Sequence, residues 1–347
     1  MYIYDNLKNM IEFTPNFPLR QYNTFGIDVK AKYFAGFSSL AELHELIDDK
    51  LFMKHPSLIL GGGSNVLFTK DFDGLIIHPK LEEINRIEET NEEIILKVGS
   101  GIIWDNLVEY AVLHGWGGLE NLSAIPGNVG AAPIQNIGAY GAEIKDVIDK
   151  VIGIDLSNKK TCTFKNTECE FGYRSSIFKT RLKSKFLITH VVFRLKKFPH
   201  SLITGYGEIE RILEHEKERT ISVMRTVICN IRSSKLPDVK TKGNAGSYFK
   251  NPVVDIEIIE QLKKRMKDIP VYETPEGGYK LSAAWLIEKS GCKGIRSGNA
   301  GTHDHQPLVL INHGNATGKE ILELADFIKE KVYQLFGIVL EPEVNVI

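Results

Sequence analysis

Apolar residues along this chain recur at two spacings, and each spacing predicts a kind of element. At 39–50, Leu40, Leu43, Leu46 and Ile47 share one helical face behind Ser39, and Glu42 stands three residues after that serine, the pairing that closes a helix N-terminus. Trp104, Leu107, Val108, Ala111 and Val112 repeat the spacing and predict a helix that stops at Gly115. Met224, Ile228 and Ile231 form the inner face of a helix over 221–231, which the stretch Arg232-Ser-Ser-Lys-Leu-Pro237 terminates, marking a domain boundary. Further helices are expected over 256–267, 281–290 and 319–336. Strands are expected at 58–60, 74–78, 93–98, 150–154, 161–164 and 308–312. Over 187–195, Leu187, Thr189, Val191, Phe193 and Leu195 alternate on one face. Residues 338–346 read as a last strand on which Glu341 and Glu343 point the same way, an arrangement that is usually just solvated. The mixture predicts an α+β protein.

One stretch obeys neither period. Residues 123–142, SAIPGNVGAAPIQNIGAYGA, carry no charge at all. Pro126 and Pro133 break a helix, while Gly127, Gly130, Gly138 and Gly141 allow sharp turns and close approach of backbone to a ligand. Loops are normally polar and at the surface, because buried backbone must find hydrogen-bond partners. An uncharged loop of this length suits backbone wrapped around a large, flat, partly apolar ligand; a tight inter-domain crossover built of small residues would read the same way.

Composition narrows the class. At 347 residues the chain is long enough for two or three domains, and 43% hydrophobic with 25% charged residues gives a sizeable core. The 43 basic and 44 acidic residues nearly cancel, with no basic stretch dense enough for nucleic acid. Cys162, Cys169, Cys229 and Cys292 form no CxxC pair or zinc spacing, so reduced thiols in a cytoplasm are expected. The opening MYIYDNLKNMIEF carries acids among its apolar residues and lacks the basic region of a signal peptide. No apolar run approaches the roughly 18 residues of a membrane span.

Several short motifs carry candidate chemistry. Residues 58–60 run into Gly61-Gly-Gly-Ser-Asn65, where consecutive amide donors suit a diphosphate, although a tight strand-to-strand turn also explains the glycines. The lysine of a phosphate-loop ATPase is absent. Arg174, in an aromatic turn at 171–178, either stacks on Tyr173 or binds a ligand. Residues 199–207 hold turn formers without a period and read as a mobile loop. The stretch 243–252, GNAGSYFKNP, is a second glycine-rich, ligand-type loop with Ser247 beside aromatic residues. It is no hydrolase elbow, since Phe249 stands where that motif needs glycine. His303 and His305 lack a third ligand and read as exposed polar structure rather than a metal site.

Taken in order, GGGSN, IPGNVGAAPIQNIGAYG, GYRSSIF, GNAGSYFKNP and LEPEV resemble the UDP-N-acetylenolpyruvoylglucosamine reductase family from residue 23 to the C-terminus. The resemblance implies an FAD-binding domain of the vanillyl-alcohol-oxidase (PCMH) type in two lobes, 1–80 and 81–232, with a smaller α+β substrate domain at 233–337. A strand at 338–347 would return to the FAD-binding part. It further implies a monomeric, cytoplasmic enzyme of peptidoglycan precursor synthesis that uses non-covalent FAD and NADPH, with no metal, nucleic-acid or membrane partner. Such an enzyme reduces UDP-N-acetylglucosamine enolpyruvate to UDP-N-acetylmuramate, passing hydride from flavin N5 to the enolpyruvyl methylene. By motif match Ser247 is the proton donor, and Arg174 and Glu343 stabilise the intermediate. Gly61, Gly62, Gly63, Ser64, Asn65, Ile125, Pro126, Gly127, Asn128, Gly130, Ala131, Gly138 and Arg232 match cofactor-binding positions. Tyr140, Tyr206, Lys235, Asn251, Tyr272, Lys293 and Gln306 match substrate positions, Tyr206 lying on the longer of the family's two loop types.

Those residue types suit the chemistry. The enolpyruvyl group is conjugated to a carboxylate, so hydride addition builds enolate charge that an arginine can hold. A serine is a weak acid, but an enolate carbon is a strong base, and Glu343 or a lysine would tune the transfer. The sequence departs from the family at Asn345, where an arginine usually follows LEPEV, and at Gly205, which precedes Tyr206. Two rival readings remain: a flavin oxidase of the same superfamily, disfavoured by the Ser247, Arg174 and Glu343 set, and a non-catalytic binding module, which would be expected to lack one of the three.

Overall fold

The computed structural model describes residues 11–266, 268–274 and 278–347. The first ten residues, most of the stretch judged against a signal peptide, and Lys267, the last residue of an expected helix, lie outside that set. The chain divides into two compact units. Ala31–Gly62 and Asp73–Arg232, with the segment leading to Phe17, make the first; Pro18–Lys30, Gly63–Phe72 and Ser233–Ile347 make the second.

The first unit contains two sheets. In one, strands run in the order Thr14–Pro18, Lys30–Phe37, Phe72–Pro79 and Ser57–Ile59, the last two parallel. The helix Leu40–Asp48 starts where the pattern placed it, with the Ser39 hydroxyl accepting from the Glu42 amide at 3.1 Å. It buries Leu43, Leu46 and Ile47 with Phe37, Leu75 and Ile77. The other sheet is antiparallel, in the order Lys160–Lys165, Ile148–Asp155, Phe186–Lys196, Glu93–Gly99 and Ile84–Glu89. Helix Trp104–Leu113 contributes Trp104, Leu107, Val108, Ala111 and Val112 to its core. The central strand Phe186–Lys196 corrects the alternating expectation. Every residue from Phe186 to Phe193 is buried, because a central strand is flanked by partners and covered on both faces.

The helix Ile221–Lys235 runs a full turn beyond its expected end. Arg232, Ser233 and Ser234 do not break it; the stop comes from Pro237, which disfavours helical backbone at the residue before it.

The second unit carries a four-stranded sheet, Gly243–Ser247, Val309–Asn312, Ala300–Thr302 and Arg296–Ser297, and a three-stranded one, Val253–Val254, Tyr279–Leu281 and Val271–Glu273. The first half of the expected loop at 243–252 is therefore a strand, with a register shift between Asn244 and Ser247 around Gly246. The expected strand at 338–346 shrinks to Asn345–Val346, parallel to Val66–Leu67, and an isolated bridge between Pro342 and Phe249. Pro342 has no amide to donate to a ladder. Helices Ile256–Arg265, Ala283–Lys289 and Gly318–Phe336 complete the unit, the last held by a reciprocal Thr317/Glu320 cap. Among the described residues no helix is long and apolar enough to cross a membrane.

Candidate active site

The uncharged loop sits in the first unit on a platform of backbone. Gly130 N–H donates to Ser100 O at 3.0 Å, Val129 N–H to Ile102 O at 2.9 Å, and Asn128 Nδ2 to Gly101 O at 2.6 Å. Ala131 N–H bonds back to Asn128 O. The amides of Gly130 and Ala131 are thus committed inside the protein. Those of Gly127 and Asn128 bond no described residue, and neither do those of Gly61 and Gly62. The two pairs are neighbours: a Cβ added to Gly61 would lie 2.8 Å from Asn128 Oδ1, and one on Gly62 would lie 3.6 Å from Gly127 Cα. Two neighbouring pairs of amides without a partner among the described residues suit an anion. Gly63 makes the turn in the second unit, where a Cβ would strike Tyr22 O at 2.0 Å.

Arg232 approaches the loop from the helix Ile221–Lys235, its Nε donating to Ala124 O at 3.2 Å. Loss of hydration pushes this guanidinium below its usual value, while the Tyr140 hydroxyl and the Asp105 carboxylate pull it back. It stays charged, and an under-hydrated cation is a good partner for an anion. Arg174 shows the first of the two readings the sequence left open, the stack on Tyr173, and adds a bond inside the protein. Its guanidinium lies 5.7 Å from the Tyr173 ring centroid, and Nη2 donates to Gly138 O at 3.0 Å, so the side chain is drawn to the uncharged loop. Tyr140 and Tyr206 meet edge to face at 6.0 Å. Asn121 Nδ2 bridges Tyr140 O and Ile203 O, each at 2.8 Å, tying the Tyr206 segment to the loop while the Tyr206 ring remains exposed.

In the second unit, Ser247 ends its strand beside the register shift, half-buried, with its hydroxyl bonded to no described residue. Glu343 N–H donates to Tyr248 O at 2.7 Å, which brings Glu343 alongside the end of that strand. The two glutamates expected on one face have different surroundings: Glu341 is exposed and paired with Lys250 at 2.9 Å, whereas Glu343 is half-buried. Asn65 Nδ2 donates to Glu343 O at 3.2 Å, and Asn345 Nδ2 donates to Asn65 O at 3.0 Å. The residue standing where the family has arginine therefore braces the end of GGGSN. Of the expected substrate residues here, Asn251 Oδ1 accepts from Ala283 N–H at 2.9 Å, Lys293 pairs with Glu288 at 2.9 Å, and Tyr272 is exposed. Gln306 Oε1 is buried without a donor among the described residues. Lys235 is exposed in the last turn of its helix. Among the described residues no group of three or more His, Cys, Asp or Glu side chains is placed to hold a metal ion.

Comparison with known proteins decides the family. Residues 31–160 match the FAD binding domain model, and residues 238–347 match the model of the UDP-N-acetylenolpyruvoylglucosamine reductase C-terminal domain. The UDP-N-acetylenolpyruvoylglucosamine reductase of Flavobacterium johnsoniae is 45% identical over 339 residues, covering 97% of this chain and 100% of the relative. That of Amoebophilus asiaticus is 44% identical with the same coverage. The chain belongs to the UDP-N-acetylenolpyruvoylglucosamine reductase family. The crystal structure of the Thermus caldophilus UDP-N-acetylenolpyruvylglucosamine reductase is similar in fold, with a TM-score of 0.69 at 24% identity, covering 97% of this chain and 98% of that one.

As a UDP-N-acetylenolpyruvoylglucosamine reductase family member, the protein is an FAD-dependent oxidoreductase of α+β fold. The residues present fit the cofactor. The neighbouring amides of Gly61, Gly62, Gly127 and Asn128 suit its diphosphate, and glycine at 61 and 62 lets that stretch pack closely against Asn128 and Gly127. Two residues escaped the sequence reading: Asp105, which accepts from Ala124 N–H at 2.6 Å, and Arg225, which grips Asp105. The available signals were an acid in the first turn of a helix and two arginines, Arg225 and Arg232, seven apart on one helical face.

Proposed function

We propose that this chain reduces UDP-N-acetylglucosamine enolpyruvate to UDP-N-acetylmuramate with NADPH as the electron source. The observation that carries this reading is the Ser247 hydroxyl, half-buried yet bonded to no described residue, beside a backbone that also fixes Glu343. A serine with a purely local role would bond a nearby backbone group. Bound FAD supplies the hydride for the terminal methylene. Arg174 pairs with the substrate carboxylate and holds the charge that accumulates there, while Ser247 delivers a proton to the adjacent carbon. Glu343 balances that transfer. Tyr206, Tyr140, Lys235, Asn251, Tyr272, Lys293 and Gln306 hold the UDP-sugar, with Tyr206 closing over it. Gly63, Ser64, Asn65, Ile125, Pro126, Gly130, Ala131, Gly138 and Arg232 complete the FAD set. We place the working enzyme, a monomer, in the cytoplasm; four free thiols are consistent with a reducing compartment, and burial pushes Cys169 up to about 12, keeping it protonated.

Anaerobic flavin spectra test the reading. NADPH should bleach the bound flavin, and UDP-N-acetylglucosamine enolpyruvate should then restore the oxidised spectrum. Bleaching without restoration points to a flavin oxidase, and no response to NADPH points to a binding module.

A further inference from the structure

Ala124 opens the uncharged loop at φ 56°, a left-handed conformation that residues with a Cβ rarely adopt. Both of its peptide groups are held by side chains. Its N–H donates to Asp105 Oδ1 at 2.6 Å, and its carbonyl accepts from Arg232 Nε at 3.2 Å. Asp105 is in turn gripped by Arg225 through two bonds, Nη1 to Oδ1 at 2.7 Å and Nη2 to Oδ2 at 3.0 Å. The guanidinium of Arg225 is well enclosed, with a side-chain exposure of 15%. Arg225 and Arg232 stand two turns apart on the helix Ile221–Lys235, so one helical face controls both sides of a single strained alanine. Three and four residues further on are Gly127 and Asn128, whose amides bond no described residue.

We propose that the Asp105–Arg225 ion pair is a positioning element for FAD. It holds Ala124 in its left-handed conformation and so sets the direction in which 125–128 leaves, aiming the Gly127 and Asn128 amides. The pair is not merely a staple between the helices Trp104–Leu113 and Ile221–Lys235. This inference rests on the loop being the FAD site.

The test measures FAD release from diluted holoenzyme by the rise in flavin fluorescence, together with thermal melting of the same preparations. Asp105→Ala removes a charge-assisted acceptor and should weaken FAD binding about 10-fold or more. Ala124→Gly in that background should recover a substantial part of the loss, because glycine adopts a positive φ without assistance. Arg225→Met, which leaves Asp105 in place, should weaken binding in the same direction but less. A lowered melting temperature with unchanged FAD affinity in Asp105→Ala would reduce the pair to a staple and overturn the proposal. A loss of affinity that Ala124→Gly does not relieve would overturn it equally, and an unchanged affinity in Arg225→Met would remove Arg225 from it. Wild-type protein that holds no FAD would instead defeat the assignment of the loop itself.

Discussion

Tyr248 follows Ser247 in the chain but meets the opposite circumstances. It is fully buried, and its hydroxyl has no partner among the described residues. Burial pushes its phenol up to about 12, so the native state resists losing that proton. The unfolded chain releases it near the ordinary value of about 10, so the stability tied to the protonated form is complete below pH 10 and is lost as pH rises toward 12. Tyr248→Phe should therefore flatten the alkaline decline in unfolding free energy, which is otherwise at most about 1.4 kcal/mol per pH unit from this group. At neutral pH the change should be neutral or stabilising by up to about 1 kcal/mol, since an unsatisfied hydroxyl is removed from the core. Denaturant unfolding at pH 7 and between pH 10 and 11 checks both parts. A loss of 1–3 kcal/mol at pH 7, roughly what an orphaned partner costs, would mean that the hydroxyl has a bond after all. The contrast also marks what single residues disclose. The motif GNAGSYFKNP marks both Ser247 and Tyr248 in the sequence, but the burial that separates them depends on residues distant in the chain.

At the scale of elements, the pattern served best where a helix carries both a periodic face and chemical end signals. Helix Gly318–Phe336 begins after Thr317, whose hydroxyl accepts from Glu320 N–H at 3.2 Å while Glu320 Oε2 accepts from Thr317 N–H at 2.8 Å. Thr317→Ala should cost about 1 kcal/mol of stability and leave FAD content untouched. Denaturant titration of the flavin-loaded protein measures it, and a cost near zero would show that Glu320 holds the turn alone. The pattern served worst for strands lacking alternation. Lys30–Phe37 and Ile84–Glu89 carry no clear strand pattern because charged residues interrupt them, and alternation over 187–195 does not disclose that Phe186–Lys196 is buried on both faces, because burial by a second layer is a tertiary fact. The strand expected over 338–346 failed on Pro342. In the site, residue order along the chain identified the loops. Which amides remain unpaired was not legible, because it depends on the platform at 99–102, far from the loop in sequence.

At the scale of the whole molecule, the amide rows of the uncharged loop and Ser247 belong to different compact units, so damage to one should leave the other intact. Ser247→Ala exploits this. Bleaching of the flavin by NADPH needs no proton on carbon and should proceed at near the wild-type rate. Reoxidation by the UDP-sugar needs the positioned acid, and losing one typically slows such a step on the order of 10²–10⁴-fold. The Ser247 hydroxyl bonds no described residue, so the substitution breaks no hydrogen bond among them, and thermal stability and FAD content should hold. Ser247→Cys should recover part of the reoxidation rate, because a thiol is the stronger acid. Stopped-flow absorbance of each half-reaction, with melting curves of the same preparations, separates this from a structural role. If Ser247 only shaped the strand end, both half-reactions would fall together with stability, and cysteine would restore them no better than alanine.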